Sequence, residues 1–119
     1  MSNLEITREF YEKLGFEFLA GPIGPEPMAI MEHPSGVNIN FILNATNEEP
    51  LNILMDVSEK HTGYTHIVLE VAGLEIVEEK LNSLSYVITA GPFVTPNGAS
   101  FIFIRDPDDN VIESHKPAD

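Results

Sequence analysis

The sequence predicts an α+β fold built from two related halves. Residues 4–23 align without a gap with residues 74–93, and eight of the twenty paired positions are identical. Each copy begins with apolar residues three or four positions apart, which is typical of an amphipathic helix. Short segments rich in β-branched and aromatic residues follow each time and are typical of strands. We therefore expect one duplicated arrangement of a helix followed by three strands.

The helix of each copy is predicted from its apolar spacing. Ser2 and Glu5 are expected to form a capping box, and Glu9 and Lys13 a favourable ion pair one helical turn apart. The apolar positions are Leu4, Thr7, Phe10, Tyr11 and Leu14 in the first copy and Leu74, Val77, Leu81 and Leu84 in the second. Both helices should bury one face against a sheet.

Strands are predicted on both sides of the second helix and after the first. They cover residues 16–20, 28–32 and 37–43 in the first half and 65–71, 86–90, 100–105 and 111–115 in the second. The first strand after each helix should end at its Gly-Pro pair, because proline cannot donate to a strand ladder. The second half therefore has the order βαβββ.

The first half contains no counterpart of the strand at residues 65–71. The seventy-residue offset already pairs residue 1 with Val71. Three explanations stay open: the gene starts upstream, the chain is truncated, or a partner chain covers the open edge of the first sheet. Residues 1–119 should form one domain, with a first unit at 1–43, a polar linker at 44–64 and a second unit at 65–119.

Composition narrows the classes of function. The chain has 19 acidic against 6 basic residues, a formal charge of −13, and no cysteine. Nucleic-acid binding is not expected from this charge, and thiolate metal sites are excluded. No segment approaches the roughly 20 apolar residues of a membrane span. We expect no membrane partner and a cytoplasmic protein.

With these elements placed, the chain resembles the vicinal-oxygen-chelate superfamily, which includes glyoxalase I, bleomycin-resistance proteins and extradiol dioxygenases. The matching segments are residues 4–16 (LEITREFYEKLGF), 65–71 (THIVLEV) and 101–113 (FIFIRDPDDNVIE). The resemblance implies a glyoxalase-like fold, in which two βαβββ units form paired curved sheets around a cleft. It also implies a homodimer, since dimers are common in this superfamily.

The resemblance further implies a divalent metal ion such as Zn, Ni, Mn or Fe. Its ligands would be His66 on the opening strand of the second unit and Glu113 on the last strand, with Glu113 also the candidate catalytic residue. We expect the paired sheets to bring these two side chains within coordinating reach. An offset of 73 residues places Asn40 opposite Glu113, so that an amide replaces the carboxylate in the first unit.

Three further residues are candidates for ligand binding. Asn40 lies on the polar side of its strand, which either contacts a ligand or is an exposed sheet face. Phe101 lies on a strand with apolar residues on both faces, so it belongs either to the core or to a stacking wall of the cleft. His115 shares a strand face with Glu113 and is either an outer ligand or proton carrier, or a solvated residue.

Two functions are compatible with these features. The first is a metal-dependent enzyme of the glyoxalase type, a lyase or isomerase or a dioxygenase, acting on a small substrate with adjacent oxygen atoms. The second is a metal-free protein that binds or sequesters a small molecule, as bleomycin-resistance proteins do. The acidic charge favours a cationic ligand for the second.

Overall fold

A computed structural model describes residues 3–25, 27–43, 56–58 and 65–118 of the chain. Within these ranges there are two helices and two sheets, of three and four strands, and neither sheet closes into a barrel. The elements are α1 (Leu4–Lys13), β1 (Glu17–Ile23), β2 (Met28–Glu32), β3 (Asn38–Ile42), β4 (His66–Glu70), α2 (Leu74–Ser83), β5 (Ala90–Val94), β6 (Ser100–Arg105) and β7 (Val111–Lys116). The predicted α+β class is confirmed.

The chain divides into two compact units, Met1–Leu51 and Asn52–Asp119. The boundary falls inside the predicted linker at 44–64, most of which lies outside the described residues. One described part of that segment is held by the second unit: Arg105 contacts both carboxylate oxygens of Asp56, at 2.8 and 3.2 Å. Neither described helix is long and apolar enough to cross a membrane.

The first unit packs α1 on an antiparallel sheet of order β1-β2-β3. The helix begins after Asn3, whose side-chain oxygen accepts a hydrogen bond from the backbone N–H of Ile6 at 3.1 Å. Asn3 is thus the N-cap in place of the predicted Ser2, which lies outside the described residues. The predicted ion pair between Lys13 and Glu9 forms at 2.9 Å.

Aromatic rings fill the core of the first unit. The buried ring of Tyr11 meets Phe16 edge-on at 5.3 Å and lies tilted against Phe41 at 5.2 Å. Such contacts combine large apolar burial with favourable ring geometry. Thr7, on the same helix, is fully buried, and its hydroxyl has no hydrogen-bond partner in the described structure.

The second unit packs α2 on a four-stranded sheet of order β4-β7-β6-β5. β4 runs parallel to β7, while β6 is antiparallel to both β7 and β5. The parallel pair requires a crossover, and the chain between β4 and β7 provides it through α2 and two strands. The most deeply buried apolar residues of this unit are Leu81, Ile102, Ile104 and Ile112.

The structure corrects the prediction that a Gly-Pro pair ends a strand. β1 continues through Gly21 to Ile23, and β5 begins only at Ala90 and runs through Gly91, so that residues 86–89 precede the strand. Both strands shift register at this point, which marks a bulge. The bulge places the proline where no ladder hydrogen bond is required of it.

Glycine is needed at both bulges. Gly21 and Gly91 have φ angles of +147° and +89°, which residues with a side chain rarely adopt. A Cβ atom at Gly21 would lie 2.7 Å from the Cα of Ala29, and one at Gly91 would lie 2.9 Å from the carbonyl oxygen of Phe101. The sequence repeat therefore preserves a close approach between neighbouring strands.

Candidate functional site

The candidate site lies on one face of the second unit's sheet. Side chains alternate between faces along a strand, so Glu113 and His115 share one face of β7 while Ile112 points to the other. In the parallel pairing, Val68 is opposite Glu113 and His66 is opposite Val111. His66 therefore lies diagonally across from Glu113 on the same face, within reach of a long side chain.

Three side chains form a hydrogen-bonded row on this face, which we call the His-Glu-His row (His66, Glu113 and His115). The Nε2 atom of His66 lies 3.1 Å from Oε1 of Glu113, and the Nδ1 atom of His115 lies 3.0 Å from Oε2. The side chain of Glu113 is only 12% exposed. The carboxylate is thus held between two imidazoles, one at each oxygen.

The hydrogen bonds determine which nitrogen of His66 carries a proton when the ring is neutral. An ionised carboxylate only accepts hydrogen bonds, so Nε2 of His66 donates to Glu113. The Nδ1 atom of His66 then accepts from the hydroxyl of Thr65, 2.9 Å away. Thr65 therefore orients the imidazole from the side opposite the carboxylate.

His66 and Glu113 meet within one sheet of the second unit. We expected two paired sheets to bring these side chains together. Instead, the parallel contact of β4 with β7 within one sheet places Nε2 of His66 and Oε1 of Glu113 3.1 Å apart. Their roles as metal ligands, and that of Glu113 as catalytic residue, stay predictions. His115 lies beside Glu113, as the alternation along β7 predicts.

Aromatic rings border the His-Glu-His row on β5 and β6. Phe103 meets the ring of His66 edge-on at 5.7 Å, and Phe101 stacks on His115 at 6.3 Å with an angle of 13° between the planes. Phe93 contacts Phe101 at 5.4 Å. Phe101 and Phe103 are half-buried, while Ile102 of the same strand is buried in the core.

From the sequence, one aromatic residue near the row, Phe93, was missed, and one residue of the first unit, Asn40, was proposed. Phe93 was not identified as a site residue, because it follows the Gly-Pro pair that was expected to end the strand. The signal for it in the sequence is its alignment with Ile23 in the repeat. Asn40 lies on an exposed position of β3, in the first unit.

The donor set of the row matches part of a divalent metal site. For metal-to-ligand distances of about 2.1 Å, neighbouring ligand atoms around one ion are about 3.0–3.4 Å apart. The 3.1 Å between Nε2 of His66 and Oε1 of Glu113 lies in that range. Within the residues that the structure describes, no group of three or more His, Asp or Glu side chains could hold a metal ion. The described chain therefore supplies two suitable donors, whereas catalytic zinc sites use three.

Solved structures with the same fold cover almost the whole chain. A glyoxalase family protein from Enterococcus faecalis is 25% identical, with a TM-score of 0.77 over 96% of this chain and 89% of that one. A glyoxylase/bleomycin resistance protein/dioxygenase domain from a Frankia species is 18% identical, with a TM-score of 0.73 over 98% and 90%. The genomically encoded fosfomycin resistance protein of Listeria monocytogenes is 16% identical, with a TM-score of 0.69 over 98% and 86%.

Sequence comparison gives the family directly. No curated protein matches the chain at a significant level. The profile of the Glyoxalase/Bleomycin resistance protein/Dioxygenase superfamily, however, matches residues 1–114. This match covers nearly the whole sequence and agrees with the arrangement of helices and strands. The chain belongs to the Glyoxalase/Bleomycin resistance protein/Dioxygenase superfamily.

Proposed function

We propose that this chain is a divalent-metal-dependent enzyme of the glyoxalase type, a lyase or isomerase or a dioxygenase, acting on a small substrate with adjacent oxygen atoms. The observation that carries the proposal is the 3.1 Å distance between Nε2 of His66 and Oε1 of Glu113 on one sheet face. A bound divalent ion would supply Lewis-acid chemistry to the substrate oxygens.

The surrounding residues support this role for His66 and Glu113. Ligating imidazoles and carboxylates are usually oriented by hydrogen bonds from neighbouring groups. Thr65 contacts the far nitrogen of His66, and His115 contacts the second oxygen of Glu113. Phe101, Phe103 and Phe93 supply apolar surface beside the row, which favours binding of the carbon skeleton of a substrate.

The proposal requires a third protein ligand besides His66 and Glu113. It would come from residues outside the described ranges or from another chain. A homodimer and a cytoplasmic address belong to the same proposal. Sedimentation of the purified protein tests the first, and it also shows whether a second copy is available to complete the site.

Metal content tests the proposal. Protein purified without chelator should carry about one divalent ion per chain by elemental analysis, and His66→Ala should lose most of it. His33→Ala is the matched control, because His33 lies in a turn of the first unit and bonds Ser35. The proposal is abandoned if His66→Ala keeps as much metal as His33→Ala, or if unmodified protein takes up none of Zn, Ni, Mn or Fe.

A second candidate function is metal-free binding of a cationic small molecule. Both oxygens of Glu113 and both ring nitrogens of His66 already have hydrogen-bond partners inside the chain. The formal charge of −13 would draw a cationic molecule to the protein without the need for a metal ion. Calorimetry on chelator-treated protein, with bleomycin as the first probe, would show saturable binding if this alternative holds.

A further inference from the structure

A pocket of about 530 Å³ lies next to the His-Glu-His row in the second unit. It is formed by the turn between β5 and β6, with Thr95, Asn97 and Ala99, and by Pro117 and Ala118 after β7. His115 also lines it. His115 therefore belongs both to the pocket and to the row.

The distance between the pocket and Glu113 suits a small ligand. His115 is the next residue after Glu113 on that face of β7, and residues two apart on a strand are about 7 Å apart. A molecule of modest size could therefore contact Glu113 with one end and occupy the pocket with the other.

The hydroxyl of Thr95 and the side-chain oxygen of Asn97 form hydrogen bonds within the pocket's turn. The hydroxyl of Thr95 donates to the side-chain oxygen of Asn97 and also lies 3.2 Å from the carbonyl oxygen of Ala99. The backbone N–H of Ala99 donates to the same oxygen of Asn97 at 3.2 Å. The remaining walls are proline and alanine side chains, so the pocket offers a mostly apolar surface.

His115 offers a hydrogen-bond acceptor to a ligand in this pocket. Its Nδ1 lies 3.0 Å from Oε2 of Glu113 and donates to it, because an ionised carboxylate only accepts. The neutral ring then has an unprotonated Nε2, which can accept a hydrogen bond, and no described residue donates to that atom. The ring also stacks nearly parallel on Phe101, at 13°, so it presents a flat wall.

We propose that this pocket is a subsite for a flat apolar group that carries a hydroxyl or N–H donor, and that the donor binds Nε2 of His115. The proposal rests on the proposed function in one respect: it treats the occupant as the distal end of the substrate held at Glu113. It makes His115 a determinant of substrate specificity. A ligand group with acceptors alone would leave Nε2 unpaired.

Phenol and toluene test the subsite, because they share a shape and differ in the donor. Apolar burial alone favours toluene, whereas a hydrogen bond to Nε2 favours phenol. Titrations followed by amide NMR should show shifts at Thr95, Ala99 and Ala118, with an affinity ratio of phenol to toluene about fivefold higher than in His115→Phe, which corresponds to one ordinary hydrogen bond.

Substitutions separate the contributions of the pocket and of His115. His115→Phe should lower the affinity ratio of phenol to toluene about fivefold while toluene still binds, and the same exchange at His33 should leave the ratio unchanged. Ala118→Phe should fill the pocket and abolish binding of both probes. An affinity ratio that His115→Phe leaves unchanged, or shifts away from the pocket, would overturn the proposal.

His66→Ala makes failure of the subsite distinguishable from failure of the metal-dependent function. The variant removes a proposed metal ligand and leaves the pocket and the bond between His115 and Glu113 in place. Phenol should therefore bind it within about twofold of the unmodified protein, whatever its metal content. Loss of phenol binding in this variant would count against an independent subsite, and metal analysis of the same samples reports on the proposed function separately.

Discussion

The two units share an order of elements but differ in what stands beside the last strand. In the second unit, β7 is flanked by the parallel strand β4, which carries His66. In the described part of the first unit, the equivalent strand β3 pairs with β2. Glu113 is half-buried and bonded to two imidazoles, whereas its counterpart Asn40 is exposed. The repeat has therefore kept the scaffold, while the polar row depends on the parallel pair.

The largest expected effect comes from substitutions at the equivalent positions 113 and 40. Changes to groups that only support a metal ligand cost about 10–100-fold in affinity, so Glu113→Gln, which removes a proposed ligand, should cost at least about 100-fold. Asn40→Asp should change metal affinity by less than about twofold, because added charge at an exposed residue has little effect. Competition with a chromophoric chelator measures both. Equal losses would mean that the two units contribute alike.

The strand bulges provide a comparison in which the two units should behave alike. Gly21→Ala and Gly91→Ala should each lower the free energy of unfolding by about 2–4 kcal/mol, because a Cβ atom would clash with a neighbouring strand and φ is positive. Denaturant unfolding gives the values.

Gly36→Ala is the control for the bulge variants. Its φ is +96°, but a Cβ atom there would meet nothing within 4 Å. It should therefore cost only about 1–2 kcal/mol of backbone strain. If all three variants cost the same, the close approach at the bulges is not what requires glycine.

The smallest expected effect concerns the helices, and its sign should differ between the units. Thr7→Val removes a buried hydroxyl without a partner and should raise the free energy of unfolding by about 1 kcal/mol. Val77→Thr, at the equivalent position of α2, should lower it by about 1 kcal/mol. Thermal and denaturant unfolding check both variants. Destabilisation by Thr7→Val would show that the hydroxyl has a partner outside the described residues.

Local sequence patterns were sufficient to predict the helices and most strands, but not the contacts between strands. The apolar spacing of the helices and the β-branched and aromatic residues of β6 predicted their positions, because these signals depend on neighbouring residues alone. The prediction that β5 ends at Gly91 was wrong, because a bulge that allows a strand to continue past a proline depends on the neighbouring strand. For the same reason Phe93 was not identified.

The candidate site could be predicted in part. Alternation along β7 placed Glu113 beside His115, and the family resemblance singled out His66. The register of β4 against β7 joins segments that are distant in sequence, and no local pattern specifies it. The contact of His66 with Glu113 follows from that register and from side-chain geometry, so it required coordinates.

The parallel pairing of β4 with β7 also has a consequence for the order of folding. The hydrogen bond between His66 and Glu113 joins positions 47 apart in the sequence. Closing so long a loop costs conformational entropy before the contact provides any stabilisation. Such pairings are therefore slow to form. The ring resonances of His66 and His115 should therefore take on their native shifts only when the second unit has finished folding, and they offer a direct kinetic probe of that last step.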